Sequence, residues 1–426
     1  MHKKSLLALS VAVVAAVGLS ACNGGGSSAS GGGGGDGKTL TLAATTNEKP
    51  ALDAVVAKFK EQNQGVDVKY TTSALDQYQT TTRTQLSSGT APDVVFVWPG
   101  DGNPMATRVV AKGGFLEDLS SQSWANSFPA GIKPVTQYNG KTYSASVTFS
   151  GIGAVYNMTA MKAAGLTPPT TWSGLLQFCS QAKAKGKTAF ELGAQTNWVT
   201  QLIPYSLTPT LVYGPNPSFP QDMADKKATF SDSKWSDALN KYLDMQKAGC
   251  FQANPLGTDY NASLTAVAKG EALSVIQVNS AVAAINQQAP QGTELNMLPV
   301  PATDNASETR MAGAAGSTYG VNAKAKNKDL AIKFVNFLES PEGMNLYAQT
   351  NKALPAVPND SFKVDPALAT LQQYQKDGKT DAFMDQNWPN ARVQQTLFQV
   401  VQDLLAGKTD VSSALKQMDT AYSQGS

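Results

Sequence analysis

The sequence predicts an α/β protein of two lobes that are joined by chain crossings. Strand and helix patterns alternate in the order β-α-β-α-β over residues 38–98, which is typical of a doubly wound lobe. Two stretches of small, uncharged residues, Gly140–Asn157 and Ala312–Gly320, have the composition of buried crossings. About 390 residues follow Gly37, more than a single hydrophobic core usually holds.

The first lobe begins with a strand over Lys38–Ala44, in which polar and apolar side chains alternate. Pro50 stands where the first turn of a helix accepts proline, and helical periodicity continues to Gln62. The run Ala91–Trp98 is nearly all apolar, as expected for a parallel strand that is covered on both faces. In such sheets, ligands bind outside the carboxyl ends of the strands.

The first crossing is predicted to contain two strands, Thr142–Phe149 and Ala154–Tyr156. Gly151 and Gly153 lie between them and allow the backbone to bend or to approach another segment closely. No charged side chain occurs between residues 141 and 162, which favours a buried position. We therefore expect this stretch to be a buried crossing between two halves of the protein, with Ser150 and the glycines facing the space between them.

The N-terminus has the pattern of a targeting segment. Residues 1–21 combine two lysines with an apolar run that is too short for a comfortable membrane span. Leu19–Cys22 resembles the bacterial lipobox, which predicts lipidation of Cys22; the alternative is an ordinary secretory signal followed by a chance cysteine. Residues 22–37 are rich in glycine and serine and are predicted to form a flexible tether. The mature protein is thus expected to be anchored to the extracytoplasmic face of a bacterial membrane only through lipid.

Composition excludes several functional classes. Without the two lysines of the predicted signal, 32 basic residues balance 32 acidic ones, which argues against nucleic acid as a partner. The only histidine, His2, lies in the signal, so a mature chain has no Ser-His-Asp machinery and no histidine metal site. We expect neither a metal nor a cofactor.

Apart from Cys22, the chain has two cysteines, Cys179 and Cys250. Outside the cytoplasm such a pair is a candidate disulfide. The alternative is two buried free thiols, and counting alkylatable thiols with and without reductant distinguishes the two states.

An ordered set of short motifs runs through the chain. The set comprises Gly89–Val95 with Trp98, Gly114–Leu119, Ala154–Asn157, Gly165–Trp172, Ala268–Leu273, Lys326–Ala331, Ser340–Glu342 and Leu354–Pro355. Together these motifs resemble the extracellular solute-binding protein family of ABC importers, in the sugar-binding branch that includes maltose-binding protein. The resemblance extends from about Lys38 to Tyr422.

This resemblance implies a periplasmic-binding-protein-like fold and a monomer that binds solute by hinge closure. It places the crossings near Ser146–Ser150 and Gly313–Ser317. One lobe would comprise residues 38–147 and 316–358, and the other residues 148–315 and 359–426. The expected partners are a mono- or oligosaccharide and the transmembrane subunits of a permease.

A sugar site needs aromatic platforms and side chains that exchange several hydrogen bonds with hydroxyl groups. The candidates are Asn47, Glu48, Trp98, Asp101, Ser150, Trp198, Asn279, Gly316, Ser317 and Trp388. Ser150 stands where the maltose-binding protein has an acid, which weakens an assignment to maltodextrins. Trp124, Trp172 and Trp235 are interpreted as packing residues.

The sequence is also compatible with two other functional classes. An extracytoplasmic carbohydrate-active enzyme would use a pair of carboxylates, although no local motif singles out such a pair. A receptor for a non-sugar solute, such as a polyamine, peptide or metal ion, is the other alternative. The chain is predicted not to be an enzyme.

Overall fold

The computed structural model describes residues 37–129 and 131–424. The predicted signal (1–21), Cys22 and nearly all of the predicted tether lie outside these residues. No helix in the part of the chain that the structure describes is both long and apolar enough to cross a bilayer.

The described chain contains both strands and helices throughout. The strands are β1 (Thr39–Thr45), β2 (Asp67–Ser73), β3 (Val94–Val97), β4 (Gln137–Tyr138), β5 (Lys141–Thr142), β6 (Ala145–Ser146), β7 (Thr148–Asn157), β8 (Ser274–Val278), β9 (Leu295–Leu298), β10 (Met311–Ala315), β11 (Thr318–Val321), β12 (Leu354–Pro355) and β13 (Thr380–Asp381). The helices are α1 (Lys49–Gln62), α2 (Leu75–Ser88), α3 (Thr107–Lys112), α4 (Met158–Ala164), α5 (Trp172–Ala184), α6 (Leu202–Thr208), α7 (Phe219–Ala224), α8 (Trp235–Lys247), α9 (Tyr260–Ala268), α10 (Ala281–Gln288), α11 (Lys328–Leu338), α12 (Pro341–Thr350), α13 (Ala369–Lys376), α14 (Ala391–Leu405) and α15 (Val411–Ser423).

The first sheet has the strand order β2-β1-β3-β11-β6. β1 runs parallel to both β2 and β3, and α1 and α2 connect these strands, as the β-α-β-α-β pattern predicts. β11 returns from far along the chain and pairs antiparallel with β3 and β6. The carboxyl ends of β1 and β3 therefore lie beside the start of β11. We call the part of the molecule built on this sheet the first lobe.

The second sheet is organised around β7. β7 pairs antiparallel with β8, β9, β10 and β12, and β13 joins the other edge of β10. All ten residues of β7 are buried, in agreement with the absence of charge in this stretch. We call the part of the molecule built on this sheet the second lobe.

β7 corrects one prediction. The sequence predicts two strands separated by Gly151 and Gly153, whereas the structure has one continuous strand from residue 148 to 157. A Cβ atom at Gly151 would lie 2.3 Å from a methyl carbon of Leu371, and one at Gly153 would lie 2.6 Å from the carbonyl oxygen of Leu298. The two glycines therefore permit close packing on β7 and do not interrupt it.

The two sheets are connected at two adjacent crossings. The chain leaves the first sheet after Ser146 and enters the second at Thr148; it returns after Ala315 and re-enters the first sheet at Thr318. Backbone hydrogen bonds link the crossings, from the amide of residue 147 to the carbonyl of residue 317 (2.9 Å) and from the amide of residue 316 to the carbonyl of residue 148 (2.8 Å). The crossings therefore run side by side.

The second lobe has a large aromatic core that also contains the cysteine pair. Trp235 and Phe230 are fully buried in it, with ring centroids 5.3 Å apart. Cys179 of α5 and Cys250, which follows α8, are joined by a disulfide. The bond connects α5 to the segment after α8, and its two cysteines are 71 residues apart in the chain.

Glu339, at the end of α11, gives a prediction about stability. Both of its carboxylate oxygens are buried without a hydrogen-bond partner in the described structure, and this burial raises the pKa of Glu339 well above its usual range. The folded state therefore loses stability as pH rises from the unfolded pKa of 4.5 toward the higher folded pKa. We expect Glu339→Met to raise the free energy of unfolding by about 1–3 kcal/mol at pH 7, and by less at pH 4, in urea titrations.

The exposed Glu342 of α12 provides a matched control. Its carboxylate lies at the surface, 3.3 Å from the ammonium group of Lys58. Because exposed ion pairs contribute little, Glu342→Gln should leave stability nearly unchanged. A Glu339→Met protein that gains no stability, or that gains equally at both pH values, would contradict the interpretation.

Candidate functional site

The candidate site lies where the carboxyl ends of β1 and β3 meet the crossings. Glu48 follows β1 in a short 3₁₀ turn and is only 8% exposed. Its Oε2 atom accepts hydrogen bonds from the Ser317 hydroxyl (2.9 Å), from the Asn351 amide (3.1 Å) and from the Tyr347 hydroxyl. The structure therefore brings together two predicted site residues that are 269 positions apart, Glu48 and Ser317.

Only one of the two carboxylate oxygens of Glu48 accepts hydrogen bonds from the described residues. All of its described hydrogen bonds reach Oε2, and Oε1 is not among the fully buried atoms that lack a partner. Burial raises the pKa of Glu48 above its usual value, and the three donors partly oppose that rise by stabilising the charged form. Glu48 can therefore offer Oε1 as an acceptor to a ligand hydroxyl.

The floor of the site is formed by the two crossings. Ser150 of β7 is 7% exposed and faces Gly316, where an added Cβ would lie 2.1 Å from the Ser150 hydroxyl oxygen and 2.5 Å from that of Thr148. Only glycine at position 316 allows the crossings to approach this closely. The predicted residues Ser150, Gly316 and Ser317 thus lie together, next to Glu48.

An aromatic pair from the second lobe belongs to the same region. The rings of Trp198 and Tyr260 are 5.0 Å apart, and both side chains are half-buried. Burial, together with the negative charge of Glu48, raises the pKa of Tyr260 to about 12. The charge of Glu48 contributes to this rise, so the aromatic pair lies within electrostatic range of the carboxylate from the first lobe.

A second aromatic surface comes from the first lobe. Trp98, directly after β3, is half-buried and packs edge-on against Phe96 with ring centroids 4.7 Å apart. The ring of Tyr78, on α2, also packs against Trp98, with ring centroids 6.1 Å apart. Asn47 is exposed beside Glu48. Each lobe therefore carries a partly exposed tryptophan, Trp98 on the first and Trp198 on the second.

Comparison with known proteins identifies the family of this chain. Residues 43–345 match the family described as bacterial extracellular solute-binding protein, a range that covers well over half of the chain. The chain belongs to this family. Among the described residues, no cluster of three or more His, Cys, Asp or Glu side chains is arranged to hold a metal ion.

Solved structures show the fold of this solute-binding protein. A chitin oligosaccharide binding protein aligns with a TM-score of 0.77 and 19% identity, over 91% of this chain and 98% of that chain. RafE in complex with raffinose aligns with a TM-score of 0.76 and 21% identity, over 91% and 99%. The GacH receptor of Streptomyces glaucescens, solved unliganded and with acarbose, gives 0.74 and 19%, over 91% and 98%. These likenesses establish the two-lobed periplasmic-binding-protein-like fold.

Three predicted site residues of this solute-binding protein have structural partners within the protein. Asp101 forms an ion pair with Arg108, 2.6 Å from its guanidinium. Asn279 is fully buried and bonds the amide of Gly151 (2.8 Å) and the carbonyl of Lys352 (2.5 Å). The structure thus assigns Asp101 to a loop and Asn279 to the packing at the crossings.

Trp388 is the third of these residues. It is 2% exposed and lies among Tyr205, Phe230 and Trp235, with ring centroids 5.8–6.2 Å away. The sequence assigns it a capping position over the ligand, but the structure places it in the core of the second lobe. The local sequence Asn-Trp-Pro is compatible with a surface position over the ligand and with a core position. Only the packing of α6 and α8 against Trp388 distinguishes the two.

The lobes also touch beside the floor of the site. A Cβ atom at Gly100 or Gly102, in the loop after β3, would lie 2.0 Å from the backbone carbonyl oxygen of Gln386 or Asp385, respectively. Gln386 in turn donates a hydrogen bond to the carbonyl of Ala315 (2.9 Å). Burial raises the pKa of the neighbouring Asp385 side chain to about 6. The segment before α14 therefore closes one side of the crossing region.

Sequence reasoning missed Tyr260, Tyr347 and Asn351. Tyr260 begins α9, and the other two lie near the end of α12, where they have the spacing of ordinary packing residues. An i, i+4 pair of polar side chains on one helix face is the only local signal for Tyr347 and Asn351. Their proximity to Glu48 depends on contacts across about 300 residues of chain.

Proposed function

We propose that this protein is the lipid-anchored receptor of an ABC importer that binds a mono- or oligosaccharide between its lobes and delivers it to the permease. The observation that carries the proposal is the hydrogen bond of 2.9 Å from Ser317, on the second crossing, to Glu48 of the first lobe. The half-buried tryptophans Trp98 and Trp198, one on each lobe, support it as candidate platforms for a sugar ring. Aromatic faces suit the C–H surface of a sugar, and the carboxylate and hydroxyl suit its hydroxyl groups. The match of chitin-oligosaccharide, raffinose and acarbose receptors to the whole described chain supports a carbohydrate ligand.

The lobe boundaries belong to the same proposal. We assign residues 38–147 and 316–358 to one lobe and residues 148–315 and 359–426 to the other. The change of sheet at Thr148 and Ala315 supports the first two boundaries. The third boundary, at residue 358, follows β12, a short strand that pairs with β7 of the second lobe. The proposed hinge therefore includes β12. Ligand would shift the equilibrium between open and closed arrangements of the lobes.

The alternative of a carbohydrate-active enzyme receives less support. Such an enzyme needs two carboxylates that flank the scissile bond. Among the described residues, the groups that bond Glu48 or shift its pKa are neutral hydroxyls and an amide, and none is a second carboxylate. Incubation with oligosaccharides followed by product analysis tests this alternative, because turnover would favour the enzyme.

Tryptophan fluorescence, titrated with a panel of glucose, galactose, cellobiose, maltose, xylobiose, chitobiose and raffinose, tests the proposal. We expect at least one sugar to change the fluorescence and to raise the melting temperature, because a ligand that binds only the folded state stabilises it. If no sugar on an extended panel does either, the carbohydrate assignment fails.

Two variants locate the site. Trp98→Ala and Trp198→Ala should each weaken binding of the active sugar by about tenfold or more, since each removes an aromatic platform. Trp172→Ala is the matched control, because Trp172 lies on α5 and stacks with Lys241 (4.1 Å) instead. Unchanged affinity in both site variants, with the fold retained, would remove these tryptophans from the site.

A further inference from the structure

Glu48 has no positively charged partner in the described structure. Its three hydrogen-bond donors are neutral, and no lysine or arginine contributes to the shift of its pKa. The neighbouring Lys49 directs its ammonium group to Asp53, at 2.8 Å. The negative charge of Glu48 therefore lacks a counter-charge from the protein.

Two cations that adjoin predicted or observed site residues in the chain or by contact, Arg108 and Lys352, are also engaged elsewhere. Arg108 is held by Asp101, and Lys352, next to Asn351, forms an ion pair with Asp365 at 2.5 Å. Neither is available to neutralise Glu48 without breaking an existing ion pair.

The groups that face Glu48 do not add positive charge either. Tyr347 and Tyr319 on the first lobe share a hydrogen bond of 2.7 Å, and burial and the charge of Glu48 raise the pKa of both hydroxyls. Tyr260 from the second lobe responds to Glu48 in the same direction. All three hydroxyls therefore stay neutral at physiological pH. The faces of the Trp198 and Tyr260 rings are themselves electron-rich and attract cations.

We propose that the cleft selects its sugar by charge, with preference for a sugar that carries an amino group and rejection of uronic acids and sugar phosphates. This inference rests on the proposed function and adds the chemical class of the ligand. An ammonium group next to Oε1 of Glu48 would supply the missing counter-charge, and charge-assisted hydrogen bonds are roughly twice as strong as neutral ones. A carboxylate or phosphate in the same place would meet a like charge in a partly desolvated site.

Isothermal titration calorimetry at pH 7 tests the proposal. The probes are the neutral sugar that binds best in the panel, its amino-deoxy form and its uronic acid form; for a glucose-based sugar these are built on glucosamine and glucuronate. We expect the amino form to bind about tenfold tighter or more than the neutral sugar, and the uronic acid about tenfold weaker or more. In Glu48→Gln the three affinities should converge to within about threefold, because the uncompensated charge is gone.

Glu61→Gln is the matched control, because Glu61 is exposed on α1 and lies 3.5 Å from Lys58. It should keep the wild-type ranking of the three probes. Equal binding of the three probes to the wild type would overturn the inference while the proposed function stands. Discrimination that persists in Glu48→Gln would overturn it as well. Failure of every sugar, neutral or amino, to bind the wild type would overturn the proposed function and this inference together.

Discussion

Glu48→Gln should weaken binding of the active neutral sugar by about 10- to 100-fold. Glutamine has nearly the same size but no charge, and a hydrogen bond to a charged group contributes about 1.5–3 kcal/mol. The amide also disturbs the donors Ser317, Tyr347 and Asn351, which all converge on Oε2. Fluorescence titration of the variant beside Glu61→Gln measures the effect.

The pH dependence of binding provides a second readout for Glu48. Because burial raises its pKa, the carboxylate gains a proton at a higher pH than an exposed glutamate does. Affinity that depends on the charged form should therefore fall as pH drops through this raised pKa, and Glu48→Gln should abolish the acid limb. A variant that keeps both wild-type affinity and the acid limb would exclude Glu48 from the site.

Removal of the disulfide should cause the largest loss of stability. The bond closes a loop of 71 residues, for which the chain-entropy model gives about 4 kcal/mol. We expect Cys179→Ala/Cys250→Ala to lower the free energy of unfolding by about that amount in guanidinium titrations. Both sulfur atoms lie in the core of the second lobe, so the folded variant should still bind sugar with nearly wild-type affinity.

Thiol counting complements the disulfide experiment. The native protein should show no alkylatable thiol at Cys179 or Cys250 until reductant and denaturant are added together, since both residues are fully buried. Ser180→Ala, next to Cys179 on an exposed face of α5, is a control for local helix effects. A double variant that loses less than about 1 kcal/mol would show that the bond contributes little to the fold.

A sequence pattern predicts a structural feature well when that feature depends on neighbouring residues. The absence of charge over residues 142–161 predicted a buried crossing, and every residue of β7 is indeed buried. The prediction that Gly151 and Gly153 separate two strands was wrong. Glycine is needed there because Leu371 and Leu298, which are remote in the chain, pack directly against these two positions. Local composition reports burial, whereas the reason for a glycine is the segment that packs against it.

The sequence by itself determined the α/β class, the two lobes, the order of elements in the first lobe and the position of Glu48 after β1. These features follow from periodicity, turn residues and strand ends, which are properties of neighbouring residues. Only the tertiary structure decided that Trp388 is a core residue, that Asn279 holds the crossings and that Tyr347 and Asn351 reach Glu48. The physical reason is that contacts between distant segments determine the environment of a side chain. The local sequence pattern does not determine which distant segments come into contact.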